Sequence, residues 1–177
     1  MLKTFLKKSV GKCGEKWGIY YFCKNFFHFM RFIGDYTAKA DAKGRVFLPA
    51  PFRKVLEAAG EFHLVLRTDV FQPCLVLYPE SVWNVRLDDL KSKLNPYVSG
   101  HQMIMRKFVA DAEPIELDGN GRLLISKRKL EFAGIRSDVR FLAVDEKIEI
   151  WDKDSLEKLL DENDSLGADL ESILGGE

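Results

Sequence analysis

The sequence predicts an α+β fold in which two tandem halves face each other as a pseudo-twofold β-barrel with flanking helices. Three observations carry this expectation. Asp41-Ala-Lys-Gly-Arg-Val-Phe-Leu recurs 77 residues later as Asp118-Gly-Asn-Gly-Arg-Leu-Leu-Ile. Each copy is followed by a polar-apolar stretch ending in glycine, then by two apolar runs and a Ser-led amphipathic segment. A half of this size buries little alone, so two copies in one chain complete each other's core.

Residues 1 to 29 are a basic, aromatic extension, with seven basic groups and one acidic group in residues 1 to 31. Lys24, Asn25 and His28 interrupt its apolar run, so it meets the requirements of neither a secretory leader nor a membrane span of about 20 apolar residues. Two readings remain: an extension that touches a partner or a membrane surface, or a leader outside the working protein. The second is favoured, because translation from Met30 gives a complete globular unit.

The first half covers residues 30 to 95. Tyr36-Thr-Ala-Lys-Ala and Val46-Phe-Leu-Pro alternate as strands with one buried face. Between them Asp41 is suited to accept backbone N–H groups at the start of a tight turn, and Gly44 to take a positive φ. Pro49 and Pro51 suit the rigid start of a helix that ends at Gly60. Phe62-His-Leu-Val-Leu-Arg and Cys74-Leu-Val-Leu-Tyr-Pro read as strands. A helix follows from Glu80, with Val82, Val85, Leu87, Leu90 and Leu94 near helical spacing before Pro96 stops it.

Residues 96 to 111, with Met103, Met105 and Phe108, read as a helical connector. The second half, 112 to 160, repeats the scheme: a turn at Asp118 and Gly121, a short helix from Ser126 to Gly134, then strands at Val139-Arg-Phe-Leu-Ala-Val and Lys147-Ile-Glu-Ile-Trp. Residues 161 to 177 are acidic and Gly-punctuated and read as a flexible, solvated tail.

With 46% hydrophobic and 31% charged residues, the chain can bury a real core. Its 27 basic and 27 acidic side chains cancel, so attraction to a polyanion must come from local patches. Three cysteines, odd in number and without a Cys-x-x-Cys pair, point to a reducing compartment such as the cytoplasm. His28, His63 and His101 are too scattered for a metal site. No nucleophile elbow, phosphate-cradling loop or dinucleotide fingerprint is present, so neither an enzyme, a cofactor nor a small-molecule substrate is expected.

The chemistry therefore centres on the repeated turn. Arg45 stands on the outgoing strand with five donors in a fixed fork, able to grip guanine O6 and N7 or a phosphate. A structural ion pair with Asp41 is the competing reading, but such a surface pair contributes only about 0 to 1 kcal/mol, too little to explain its retention in two diverged halves. Lys43 at the first tip, against Asn120 at the second, suggests that the first turn holds DNA more strongly. Lys39, Arg53 and Lys54, and Lys127, Arg128 and Lys129, lie near the turns in sequence; each also reads as solvated helix surface. An acid/base pair of Asp41 and Asp118 is disfavoured, because each has an arginine partner that lowers its pKa.

Asp41-Ala-Lys-Gly-Arg-Val-Phe-Leu-Pro-Ala-Pro-Phe-Arg, Cys74-Leu-Val-Leu-Tyr-Pro-Glu-Ser-Val-Trp, Leu117-Asp-Gly-Asn-Gly-Arg-Leu-Leu-Ile and Ile148-Glu-Ile-Trp closely resemble the MraZ family of bacterial transcriptional regulators. The likeness runs from about Met30 to Leu160. It implies two tandem swapped-hairpin halves of the AbrB (SpoVT-AbrB-like) type and subunits assembled in a homo-oligomeric ring. It also implies a nucleoid-associated repressor that binds short direct repeats of double-stranded DNA upstream of the division and cell wall gene cluster. The family's Asp-x-x-x-Arg positions map onto Asp41 and Arg45 and onto Asp118 and Arg122, with the arginines facing DNA; Lys43, Gly44, Gly121 and Arg53 complete the expected DNA-binding set. Two departures stand out: Ser126-Lys-Arg-Lys where the family has prolines, and residues 1 to 29, which have no counterpart. The alternative is a ring-forming interaction scaffold of the same fold without DNA binding.

Overall fold

The computed structural model describes residues 30 to 162 and 165 to 175; the reading of residues 1 to 29 falls outside them. The first half contributes β1 (Asp35–Lys39), β2 (Arg45–Phe47), α1 (Ala50–Ala59), β3 (His63–Thr68), β4 (Leu75–Pro79) and α2 (Glu80–Lys93). After α3 (Ser99–Ala110), the second contributes β5 (Glu113–Glu116), β6 (Arg122–Leu124), α4 (Lys127–Phe132), β7 (Asp138–Val144), β8 (Lys147–Asp152) and α5 (Lys153–Asp161). A further helix, α6 (Leu166–Leu174), lies in the stretch expected to be a flexible tail, and no residue of it is buried.

Local chemistry explains the boundaries. Pro49 caps α1 with Pro51 in its first turn, and Gly60 ends it at φ +70. Phe52 and Leu56, four residues apart, form the helix's buried stripe. All five residues of β4 are buried, which matches its uninterrupted apolar run and its interior position in the sheet. Pro114, which cannot donate to a ladder, falls in the edge strand β5.

Six strands form one antiparallel sheet in the order β1-β7-β8-β4-β3-β5, and β2 pairs with β6 as a separate two-stranded ribbon. Exchanging the halves reverses the sheet order onto itself, because the first strand of each half pairs with the third of the other. The ribbon obeys the same exchange: Val46 faces Leu123, its own repeat equivalent, and both are fully buried. The pseudo-twofold relation is therefore expressed in the strand register.

The expected closed barrel is not what forms. The sheet is open, since edge strands β1 and β5 pair with β7 and β3 and not with each other. Each edge strand instead runs through a tight turn into one strand of the ribbon, tied on the first side by the Ala40–Val46 bridge. Both edge strands spend their continuation on the β2–β6 ribbon, which pairs the two halves outside the main sheet.

The halves differ in what fills equivalent core sites. Phe52 meets Phe32 and Tyr36 edge to face, at ring-centroid distances of 5.7 and 5.1 Å. The repeat equivalents of Phe52 and Tyr36 are Lys129 and Glu113. Lys129 was expected on a solvated surface or beside DNA, yet it is fully buried. Its Nζ donates to the Asp111 carbonyl at 2.7 Å and lies 3.4 Å from Asp111 Oδ1 and 3.8 Å from Glu113 Oε1. Asp111 in turn accepts from the backbone N–H and hydroxyl of Thr68, both at 2.6 Å. An apolar contact has been exchanged for a satisfied polar one.

Removing the ammonium strands its partners, so Lys129→Ala is expected to destabilise the fold by about 3 kcal/mol or more in a urea titration. A midpoint equal to wild type would contradict the buried role.

Candidate nucleic-acid interface

The two turns are duplicates down to individual atoms. Asp41 N–H donates to the Arg45 carbonyl at 2.9 Å, and Gly44 N–H to the Asp41 carbonyl at 2.9 Å. In the second turn the same bonds join Asp118 with Arg122 at 2.9 Å and Gly121 with Asp118 at 2.8 Å. Gly44 and Gly121 have φ +80 and +79, the left-handed bulge position of a three-residue hairpin loop.

One carboxylate closes each turn. Asp41 Oδ1 accepts the N–H of Lys43 at 2.8 Å and of Arg45 at 3.0 Å, while Oδ2 accepts Arg45 Nε at 2.6 Å. Asp118 Oδ1 accepts Asn120 at 2.9 Å and Arg122 at 3.0 Å, and Oδ2 accepts Arg122 Nε at 2.7 Å. The backbone bond from Arg45, then its side chain, lowers the Asp41 pKa to about 2; the backbone bond from Arg122 comes first among the causes that lower that of Asp118. Both carboxylates stay ionised at neutral pH and are unsuited to proton transfer.

The structural ion pair forms at both turns. Arg45 and Arg122 keep side-chain exposures of 36% and 23%. Their Nε atoms are committed to the turn, and among the described residues both Nη groups of Arg122 and the Nη1 of Arg45 take no hydrogen bond. The aspartate orients the guanidinium and leaves its far edge for another acceptor.

The ribbon joins the turns. Ile125 N–H donates to the Gly44 carbonyl at 2.9 Å and Leu48 N–H to the Gly121 carbonyl at 3.0 Å, so one turn abuts each end of the β2–β6 pair. Across its outer face Arg45 stands opposite Leu124 and Phe47 opposite Arg122, with Val46 and Leu123 buried beneath. Phe47 and Leu124 are 55% and 61% exposed, and the Arg122 guanidinium carbon is 5.7 Å from the Phe47 ring centre. Sequence reasoning missed this apolar pair, although the 77-residue repeat already aligns the two residues.

The other candidates separate. Lys43 and Asn120 are exposed at the tips. Arg53, grouped by sequence with the first turn, lies against the second: a Cβ on Gly121 would meet its Nη1 at 2.5 Å, while Leu130 takes the corresponding place beside Gly44. Arg53 Nε is buried without a hydrogen-bond partner. Lys127 and Arg128 lie close to Glu131 and Asp111, and Lys129 is in the core. Among the described residues no His, Cys, Asp and Glu cluster is placed to hold a metal ion, and no helix is long and apolar enough to cross a membrane.

The family model described as MraZ protein matches residues 31–95 and 108–173. A relative from Bacteroides fragilis named "Transcriptional regulator MraZ" is 57% identical over 145 residues, covering 82% of this chain and 92% of its own. Namesakes from Phocaeicola vulgatus and Flavobacterium psychrophilum are 56% and 39% identical, covering 82% and 81% of this chain and 95% and 91% of theirs.

Gly44→Ala sets a Cβ 2.5 Å from the Ile125 carbonyl oxygen in a left-handed conformation, and is expected to cost about 2 kcal/mol in chemical denaturation. Gly121→Ala shares the left-handed strain but meets side-chain atoms of Arg53, where Gly44→Ala meets backbone, so a smaller loss is expected; the reverse order would contradict the packing. Because the folded-state pKa of Asp41 lies below its ordinary value, its contribution is complete above about pH 4 and lost as pH falls through about 2. Carbon-detected NMR should give Asp41 a midpoint near 2, and a midpoint near 4 would show that the turn is not closed this way.

Proposed function

The chain belongs to the MraZ family, and on that premise we propose that it is a transcription regulator that binds double-stranded DNA through the outer face of the β2–β6 ribbon. The observation that carries the reading is the duplicated clasp: two aspartates each orient a partly exposed arginine at the two ends of one exposed ribbon, with Nη1 of Arg45 and both Nη groups of Arg122 taking no hydrogen bond among the described residues. A two-stranded ribbon fits the width of a major groove, and an oriented guanidinium matches guanine O6 and N7. The relatives carry the name transcriptional regulator.

In finer detail, the protein is a nucleoid-associated repressor that recognises short direct repeats upstream of the division and cell wall gene cluster. Residues 30–95 and 112–160 act as the two AbrB-like swapped-hairpin halves, 96–111 connects them, and residues 1 to 29 stand outside the working unit. Protomers join in a ring. Such assembly suits a neutral chain, because several weakly held boxes bind jointly through effective concentration. Exposed Met103 and Ile104 on α3, a helix with no buried residue, and Tyr97 before it offer apolar surface for that contact.

Gel shift on the DNA upstream of the gene tests the reading. Arg45→Ala and Arg122→Ala should each cost about 1 to 3 kcal/mol and relax base preference, whereas Lys43→Ala should weaken all sequences alike and reduce the salt slope by about one unit. Binding like wild type by all three variants would overturn the assignment.

A further inference from the structure

The two ends of the ribbon share a backbone but not a charge. Lys39 on β1 is paired in register with Asp138 of β7, and its counterpart Glu116 on β5 with His63 of β3. The side chains follow the register: Lys39 Nζ lies 3.7 Å from Asp138, and His63 Nδ1 lies 3.0 Å from Glu116. Arg136 stands two residues before Asp138, and Glu61 two residues before His63. The Ala40 N–H bond to the Ser137 carbonyl, at 2.7 Å, brings that segment beside the first turn.

The helices continue the pattern. Lys153 opens the helix after β8, and Glu80 opens the helix after β4. Lys153 shares an open hollow with Thr37, Ala38, Lys39, Asp138 and Val139. The first end thus carries Lys39, Lys43, Arg136 and Lys153, all exposed, with Asp138 as the one carboxylate of the hollow, where the second carries Glu116, Asn120, Glu61 and Glu80, with His63 beside Glu116. Arg53, tucked against Gly121, brings a cation from the other half to the second turn.

We propose that this charge reversal gives the protomer a polarity on DNA: around Arg45, the Asp41 end seats on the phosphate backbone through Lys39, Lys43, Arg136 and Lys153, while around Arg122 the acidic rim of the Asp118 end holds backbone off. The proposal rests on the DNA-binding reading above and adds orientation to it. A two-fold symmetric backbone with symmetric charges would accept a box in either direction. One anchored end does not, so boxes served by protomers related by rotation in an assembly must run in the same direction along the duplex.

The test uses the full chain and two synthetic duplexes: an array of direct repeats of its upstream box, and the same array with alternate boxes inverted. Wild type should bind the direct array at least about tenfold more tightly. Lys39→Gln, Arg136→Gln and Lys153→Gln together should lower the slope of log affinity against log salt by about 0.9 for each phosphate that is no longer neutralised, nearly three in all. The mirror set Glu61→Gln, Glu80→Gln and Glu116→Gln should leave that slope unchanged or raise it and should narrow the preference for the direct array. Equal wild-type affinity for both arrays, or an equally reduced slope in both sets, overturns the polarity while DNA binding stands. Failure of wild type to bind either array overturns the DNA-binding reading and the proposal with it.

Discussion

Everything outward-facing in this fold depends on one carboxylate per half. Asp41 and Asp118 each accept three hydrogen bonds from the residues of their own turn, two from backbone and one from an arginine Nε. The backbone bonds set the bulge that sends the chain from sheet edge into ribbon. The bond to Nε fixes the guanidinium plane before any ligand arrives, which reduces the side-chain entropy lost on binding. An arginine without that tether would explore many rotamers, and an aspartate without the arginine would be only a turn residue.

The ribbon in turn makes the halves interdependent. Val46 and Leu123 face each other across the pseudo-twofold axis, both fully buried, and each turn's glycine carbonyl receives an N–H from the other half. The two arginine forks are therefore spaced by a rigid ladder and not by a linker.

Much of this was legible in the sequence because it is written in local chemistry. Asp-x-x-Gly-Arg specifies a turn, Pro49 and Gly60 bound a helix, and the repeat announces that the turn occurs twice. What could not be read was non-local. Closure of the sheet depends on which edges meet, and β1 and β5 do not. Arg53 looks like a neighbour of the first turn in sequence, but the exchange of strands between halves delivers it to the second. Lys129 sits in a basic Lys-Arg-Lys run that reads as surface; only its place as the repeat equivalent of Phe52, and the carboxylates of Asp111 and Glu113, put it inside. Duplication has kept the backbone while the two copies traded aromatic for ionic contacts and basic for acidic rims, a divergence that the net charge of zero conceals.

The most direct test of the central claim is to follow the guanidinium 15N signals of Arg45 and Arg122 while upstream DNA is added to the full chain. Engagement of the outward edge predicts that Nη signals of both residues shift and sharpen, while the Nε signals, already bonded to Asp41 and Asp118, move little. Unchanged Nη signals at DNA concentrations that saturate the protein would show that the clasps serve the fold alone.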